Sequence, residues 1–220
     1  NDDLPLVVTS TRGLPEPKTG RRSGYRHTAF SLFNSETIVP PAGAPARYQL
    51  LRLIEATALA DWGELAARFA PLYDDASLIP ADGRLRERLE EIRAASDDPV
   101  VRAEKALALV QDDIRYVALL MGEGGLVPAD ASTTWSRRYG DCKAKTALLL
   151  GLLRELGIAA EPVLVHSVLG DALPARLPQV GAFDHVIVRA HIAGKTYYLD
   201  GTGSGDTSLA RLHVPNYSWG

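Results

Sequence analysis

Cysteine is almost absent from this sequence, and its scarcity limits the chemistry that the chain can perform. Cys142 is the only cysteine among 220 residues. A single thiol cannot form an intrachain disulfide, so stapling of the fold is excluded as its purpose. Metal binding is disfavoured too, because no histidine or second cysteine stands near it at ligand spacing. We therefore expect no metal and no cofactor, and one cysteine is compatible with an oxidising or a reducing compartment.

An excess of charge and a long apolar run are also lacking. The chain has 24 Lys and Arg against 27 Asp and Glu, a net charge of −3 and a pI near 6.0. Contacts with phosphate require concentrated Lys and Arg, so a nucleic acid or an anionic membrane is not an expected partner. The longest apolar run, Ala147 to Leu153, is far too short to span a bilayer.

The first 49 residues differ in composition from the rest of the chain. They are rich in Pro, Gly, Arg and Ser, and only Thr28–Phe33 has a convincing strand pattern. Pro40–Pro45 is typical of a linker. We predict an N-terminal extension over residues 1–49 and one folded domain over residues 50–220. The sequence begins without Met or a signal-like segment, so we expect it to be part of a longer polypeptide.

Helix caps and apolar spacing predict most of the elements in the second region. A strand is expected within Tyr48–Thr57, and the segment from Gly122 to Thr134 is expected to be a loop that leads to the cysteine. The predicted helices run from about Asp61 to Phe69, over Leu85–Ala95, from Pro99 to about Asp113, and over Cys142–Leu156.

Cys142 occupies the start of the last of these helices. Asp141 precedes it as a capping carboxylate, and Gly157 ends the apolar run. A thiol on the first turn of a helix experiences the partial positive charge of the unpaired N–H groups, which favours the thiolate. The alternative is an inert, small apolar residue at a packed helix start. The local sequence alone leaves both interpretations open.

A predicted β-hairpin downstream supplies two partners for the thiol. Its strands are Ala182–Ile192 and Lys195–Asp200, separated by Ala193-Gly194. If the loop has two residues, His185 and Asp200 project from the same face, because side chains alternate along a strand. A three-residue loop would place them on opposite faces. The pattern therefore indicates a nucleophile, Cys142, a base, His185, and a carboxylate that orients the imidazole, Asp200.

These blocks resemble those around the catalytic Cys, His and Asp of the bacterial transglutaminase-like superfamily. The segments that carry the resemblance are Arg137–Lys143, Phe183–Val188, Gly194–Thr202 and, less specifically, Ala108–Tyr116. The resemblance covers roughly residues 55 to 214. It implies an α+β, papain-like core in which helices, among them a central cysteine-bearing helix, pack on an antiparallel sheet. It also implies that residues 1–49 are the end of a preceding β-rich domain.

The function implied by the resemblance is acyl transfer at an amide or peptide bond through a thioester. Hydrolysis is favoured over cross-linking, the expected partner is a peptide or protein, and the expected location is the periplasm or cell envelope. Ala144 and Asp184 stand where many relatives carry Asp and Asn, so substrate preference does not carry over. A catalytically idle domain that binds a peptide or protein in the same groove is the alternative function, and a purely structural spacer is a third.

Other conspicuous residues have simpler interpretations. His166 is expected to end a strand, and His191 is expected to be exposed near the hairpin turn. Trp135 could wall the cleft or donate its indole N–H to an oxyanion, but core packing is the preferred interpretation. The backbone N–H of Cys142 is expected to be one oxyanion donor. A second donor is not evident, because Gly125–Pro128 offers no amide side chain.

Overall fold

The computed structural model describes residues 5–11, 13–48, 52–118 and 125–220. Two compact units divide the chain. The first comprises Asn1–Ala66, His166–Ala182 and Tyr217–Trp219, and the second comprises Ala67–Val165, Phe183–Asn216 and Gly220. The predicted division at residue 49 stays a prediction. Within the described ranges, no helix is both long and apolar enough to cross a membrane.

The first unit is built from short antiparallel strand pairs and 3-10 turns. Strand β1 (Val7–Ser10) pairs with β4 (Ile54–Thr57), and β2 (Lys18–Arg22) pairs with β3 (Tyr25–Ala29). Among its described residues, Glu55 is a buried charge, and it accepts hydrogen bonds from Arg176 Nε at 2.9 Å and Gln179 Nε2 at 2.8 Å. This buried carboxylate is therefore paired, as a charge withdrawn from water must be.

The second unit combines helices with a three-stranded antiparallel sheet, so the fold class is α+β, as predicted. The sheet has the order β7 (Ala159–Val165), β8 (His185–Ile192), β9 (Lys195–Leu199), and a two-residue parallel pair joins β5 (Arg115–Tyr116) to β6 (Tyr139–Gly140). The helices are α1 (Trp62–Ala76, of which Ala67 onward belongs to this unit), α2 (Arg84–Ala95), α3 (Pro99–Asp113), α4 (Ala131–Arg137) and α5 (Cys142–Glu155).

Helix α5 is the centre of the second unit. Every residue from Ala144 to Leu153 is buried, whereas Cys142 and Lys143 at the start and Arg154 and Glu155 at the end are partly accessible or exposed. One side of α5 packs on the sheet, where Val186, Val188, Ala190 and Ile192 join its leucines in one apolar cluster. A helix that is apolar all round must be covered all round, and this arrangement confirms the predicted central helix.

Gly151 explains how a neighbouring segment approaches α5 so closely. A Cβ atom at this position would lie 2.2 Å from the carbonyl oxygen of Ser77 and 2.9 Å from Ile79 Cδ1. No side chain can be accommodated against a backbone oxygen at that separation. The glycine therefore permits the segment after α1 to contact α5 backbone to backbone.

Several predicted elements have different bounds in the structure. The expected strand Thr28–Phe33 is wrong, because β3 ends at Ala29 and pairs with β2 across a turn in which Ser23 and Gly24 both have positive φ. The helix expected to end near Phe69 continues to Ala76. In the expected strand Tyr48–Thr57, residues 49–51 lie outside the described residues and β4 begins only at Ile54.

The predicted loop from Gly122 to Thr134 is also corrected. Residues 122–124 lie outside the described part, but the end of this segment belongs to helix α4. Asp130 caps the helix by accepting a 2.7 Å hydrogen bond from Thr133 N. A capping aspartate three residues before a threonine run was the available sequence signal, and the weak helix propensity of Ser and Thr obscured it.

Candidate active site

The thiol of Cys142 sits at the first position of α5. Asp141 is the N-cap, and its Oδ1 accepts a 3.0 Å hydrogen bond from Ala144 N. Its other oxygen, Oδ2, pairs with Lys143 Nζ. Cys142 is a free cysteine of intermediate burial. The capped helix start thus holds the thiol at the partly accessible N-terminal end of α5.

The hairpin that carries the other two residues has the predicted two-residue loop. Ile192 pairs with Lys195, and Ala193 and Gly194 both adopt positive φ, as the tight turns of β-hairpins require. The predicted parity follows, and the two side chains meet. His185 Nε2 lies 2.8 Å from Asp200 Oδ2.

The imidazole of His185 has two hydrogen-bonding partners, Asp200 and the thiol of Cys142. Since Nε2 is occupied by Asp200, Nδ1 is left for the sulfur. Burial alone would lower the pKa of His185, but the hydrogen bonds and negative charges of Asp200 and Cys142 outweigh it and raise this pKa to about 9. The structure therefore brings Cys142, His185 and Asp200 into one hydrogen-bonded chain that favours an imidazolium.

Asp200 is held as an anion by the groups around it. Burial would raise its pKa, yet the hydrogen bond and charge of His185, together with Thr202, hold this pKa below its ordinary value. Oδ1 accepts hydrogen bonds from Thr202 N at 2.8 Å and Thr202 Oγ1 at 2.7 Å. Both carboxylate oxygens are thus occupied, which fixes the plane of the carboxylate against the imidazole.

The turn after Asp200 is fastened to α3 by one glutamine. Gln111 Nε2 donates to the carbonyl oxygen of Asp200 at 2.9 Å and to Asp206 Oδ2 at 2.9 Å. Gln111 Oε1 in turn accepts from Asp206 N at 3.1 Å. A single buried side chain therefore links the carboxylate-bearing turn to a helix nearly 90 residues earlier in the sequence.

Lys145 is a buried residue of this region that the sequence did not single out. It is 1% exposed, although it lies one helical turn after Cys142. Its Nζ donates to the carbonyl oxygen of Ile114, just before β5. Burial lowers the pKa of Lys145 to about 8, while the charges of Asp200 and Asp112 act in the opposite direction. A lysine in a helix is usually exposed, so the sequence carried no signal for this burial.

Tyr116 is a second residue whose position was not anticipated. It lies on β5 in register with Gly140, two residues before Cys142. Burial and the charges of Cys142, Asp141 and Asp200 raise the pKa of its phenol. The sequence indicates only that Tyr116 ends a segment with family resemblance, because a parallel pairing over 24 residues leaves no local pattern.

The remaining candidates occupy the places predicted for them. Trp135 is 5% exposed, belongs to the apolar core and lies under the guanidinium of Arg138, with Cζ 3.5 Å from the ring centroid. His191 is exposed and contacts Thr196. His166 follows β7, and its Nδ1 accepts hydrogen bonds from the next turn, Val168 N and Leu169 N. The contacts described for Trp135 and His191 lie outside the hydrogen-bonded chain.

Three side chains that can perform acid–base and nucleophilic chemistry converge here. Over the residues that are described, no group of three or more His, Cys, Asp or Glu side chains is placed to hold a metal ion. What converges is a thiol, an imidazole and a carboxylate in sequence. Such a chain can deliver a thiolate to an electrophilic carbon and a proton to a leaving group.

Comparison with solved structures supports the architecture. The chain is similar to a protein from Parabacteroides distasonis that is proposed to be a protease, with a TM-score of 0.69 and 16% identity over 93% of this chain. The chain spans 39% of the length of that protein. At this identity the similarity establishes the fold alone.

A second similar structure is a proposed cysteine protease from Cytophaga hutchinsonii. Its TM-score is 0.37 at 12% identity, over 90% of this chain and 65% of that one, which is too low to carry a structural conclusion. No protein-family model matches the sequence, and no curated protein matches it.

Proposed function

We propose that this protein is a thiol-dependent enzyme that hydrolyses amide or peptide bonds. The observation that carries the proposal is the hydrogen-bonded chain Cys142–His185–Asp200, in which both nitrogens of one imidazole are engaged. A purely structural cysteine has no need of such a chain. The similarity in fold to a proposed protease is compatible with it.

The reaction follows from the positions of the three groups. The Cys142 thiolate attacks the carbonyl carbon of the substrate, and the carbonyl oxygen becomes an oxyanion near the start of α5. The imidazolium of His185 gives its proton to the leaving amine as the C–N bond breaks, which leaves a thioester on Cys142. Water, deprotonated by the now neutral His185, attacks the thioester, and the thiolate departs as the carboxylic acid forms.

Electrostatics favour an ion pair in the resting site. A cysteine, unlike a serine, can be stored as a thiolate beside an imidazolium. The raised pKa of His185, about 9, keeps the imidazole protonated at neutral pH, and Asp200 compensates the positive charge. His185 is accordingly poised as a proton donor to the leaving amine, and Asp200 holds its ring in the required orientation.

The proposal extends to the transglutaminase-like superfamily that the sequence motifs resemble. In such a site an acceptor amine instead of water would resolve the same thioester and give transamidation. We favour hydrolysis, a peptide or protein substrate, and a periplasmic or cell-envelope location. The Cys, His and Asp roles are common to both outcomes, so the acceptor distinguishes them.

A peptide-library cleavage screen with product masses tests the function. The wild-type protein is expected to cleave a subset of peptides, and Cys142→Ala is expected to cleave none. Inclusion of a primary amine in a parallel reaction distinguishes hydrolysis from transamidation by the product mass. If Cys142→Ala cleaves the same peptides at the same rate, the thiol mechanism is wrong.

Labelling of the thiol separates the enzyme from the idle binding module. At mildly acidic pH, iodoacetamide is expected to alkylate native Cys142 much faster than the cysteine of the unfolded chain, because only the folded protein places the imidazole of His185 against the thiol. Equal rates would instead favour a domain that binds peptides without reacting with them. An unlabelled thiol would favour the structural spacer.

A further inference from the structure

The tetrahedral intermediate requires hydrogen-bond donors at the place where negative charge develops. Cys142 provides one of them. As the first residue of α5 it has no intrahelical acceptor for its N–H, and no described residue accepts from that group. Known oxyanion sites use more than one donor, so a second donor is expected near the N-terminus of α5.

Backbone pairing places Tyr116 beside this N-terminus. Strand β5 runs parallel to β6, with hydrogen bonds from Arg115 N to Arg138 O at 2.9 Å and from Val117 N to Gly140 O at 3.0 Å. These bonds hold Tyr116 directly alongside Gly140, two residues before Cys142. The position is therefore fixed by main-chain contacts on both sides of the tyrosine.

The side of the pair to which the ring projects follows from the register. Paired residues in a sheet project their side chains to the same side. A Cβ on Gly140 would lie 2.8 Å from Ala144 Cβ and 3.2 Å from Thr134 Cγ2, so that side faces the first turn of α5. Gly140 itself has no side chain there. The ring of Tyr116 thus occupies the side of the pair on which the cysteine helix begins.

The charges that act on the phenol agree with this placement. Burial raises the pKa of Tyr116, and the negative charges of Cys142, Asp141 and Asp200 raise it further. The phenol consequently stays protonated at any pH at which the site would operate, as a hydrogen-bond donor must. Tyr116 is 47% exposed, and in the described ranges no residue accepts a hydrogen bond from its hydroxyl.

Other polar groups near α5 are less suitable as donors. Tyr73 is also subject to the charges of Cys142 and Asp141, but it is 1% exposed and lies within the apolar core. Thr134 Oγ1 lacks a partner among the described residues, yet the residue is fully buried. Trp135 is covered by Arg138. A substrate oxygen could reach none of these without displacing the core, whereas Tyr116 is accessible.

We infer that the hydroxyl of Tyr116 is the second oxyanion donor, acting together with the backbone N–H of Cys142. This inference rests on the proposed thiol mechanism and assigns Tyr116 a catalytic role within it. The tyrosine donates to the oxygen of the tetrahedral intermediate and neither gains nor loses a proton. Its contribution is confined to steps in which a carbonyl carbon becomes tetrahedral.

Two reagents that modify the same thiol test whether Tyr116 acts only in steps that form a tetrahedral carbon. With p-nitrophenyl acetate, the Cys142 thiolate attacks the acetyl carbonyl, an oxyanion forms, and p-nitrophenolate leaves to give an acetyl thioester. With iodoacetamide, the thiolate displaces iodide from a saturated carbon and no oxyanion forms. We expect Tyr116→Phe to slow acylation by on the order of 10²-fold and to leave alkylation by iodoacetamide unchanged.

Tyr139→Phe is the matched control. Tyr139 lies on the partner strand, in register with Arg115 instead of Tyr116, and its ring contacts the guanidinium of Arg137. Removal of its hydroxyl should change neither rate. Acylation of Tyr116→Phe at the wild-type rate would overturn the inference. So would an equal fall in both rates, because it would mean that the tyrosine orders the site without donating to it.

The same measurements separate this inference from the proposed function. If Tyr116→Phe is acylated at the wild-type rate while Cys142 of the wild type is acylated much faster than the unfolded chain, only the role of Tyr116 fails. If wild-type Cys142 is acylated no faster than the unfolded chain, the thiol mechanism fails, and the inference fails with it.

Discussion

The imidazole of His185 and the carboxylate of Asp200 are joined at 2.8 Å across the open end of the β8–β9 hairpin. The two-residue turn at the other end of that hairpin sets the register that makes this contact possible. The length of the turn therefore determines that His185 and Asp200, 15 residues apart in the sequence, face each other. The charges of this pair dominate the electrostatics of the site.

Replacement of His185 should make the thiol of Cys142 much less reactive. His185→Ala deletes both the positive partner of the thiolate and the proton donor to the leaving group. We expect alkylation of Cys142 by iodoacetamide at about pH 6 to slow by on the order of tenfold or more, and peptide cleavage to be lost. The alkylation rate, followed by intact mass, is the measurement.

His191→Ala is the control for that experiment. His191 lies on the same strand, six residues on, but it is exposed, and its Nδ1 lies 3.4 Å from Thr196 Oγ1 in the hairpin. Its replacement should leave the alkylation rate within error of the wild type. A large fall in the alkylation rate of this variant, with little effect of His185→Ala, would mean that His191 and not His185 is the base.

The stability of the native state should depend on pH through the same pair. The pKa of His185 is raised from 6.5 to about 9, so the stabilisation is complete below about pH 6.5 and is lost as pH rises through about 9. The pKa of Asp200 is lowered, so its stabilisation is present above its ordinary value of 3.8 and is lost as pH falls further. The pair therefore contributes most between about pH 4 and 6.5.

Comparison with Asp200→Asn measures this contribution. The difference in free energy of unfolding between wild type and variant should be on the order of 2 kcal/mol near pH 6, since one pKa unit corresponds to about 1.4 kcal/mol. It should shrink between pH 6.5 and 9. Urea denaturation at several pH values gives the difference, and a difference that does not change over this range would contradict the coupling.

Gly151 should tolerate no side chain. Because its Cβ would lie 2.2 Å from Ser77 O, even Gly151→Ala forces the two segments apart, and we expect a loss of about 1–3 kcal/mol in the free energy of unfolding. Gly181→Ala is the control, since a Cβ there meets no atom within 4 Å and the residue is exposed. Equal stability of the two variants in urea would show that the close contact with α5 is wrong.

Lys145 should reveal its burial through alkaline titration. In the folded protein its pKa is lowered to about 8 from 10.5, so its charged form destabilises the fold, and that cost is relieved as pH rises from 8 to 10.5. Relative to Lys145→Met, the wild type should therefore gain on the order of 2–3 kcal/mol of stability over that interval. The contribution of His185 is present in both proteins and cancels in the difference.

Lys105→Met provides the reference for an exposed lysine on α3. Its difference from the wild type should be nearly constant with pH. If Lys145→Met is equally constant, the lysine is not buried in solution, and its link to the carbonyl of Ile114 is absent as well.

The sequence predicted those parts of the site that depend on short-range pattern. The predicted start of α3 at Pro99 is correct, and the run of apolar residues after Cys142 correctly predicted a buried helix. The two-residue loop at Ala193-Gly194 fixed the relative orientation of His185 and Asp200, and a loop of that kind has a recognisable composition. In each case the information lies within about one turn or one hairpin.

The parts that the sequence did not reveal depend on contacts between distant segments. Tyr116 is placed by a parallel pairing with Gly140 that has no periodic signature. Lys145 is buried by elements from three regions of the chain, although its residue type favours the surface. Helix α4 was hidden because Ser and Thr are weak helix formers. Tertiary context decided all three.

Gln111 gives the site a dependence on the order in which the polypeptide is made. Cys142 is synthesised well before Asp200 and Asp206. The turn that carries Asp200 is held in its final orientation only when the carbonyl of Asp200 and the carboxylate of Asp206 accept hydrogen bonds from Gln111 on α3, which is made much earlier. A ribosome-bound chain that has exposed Cys142 but not Asp206 consequently holds a thiol without a complete acid–base partner.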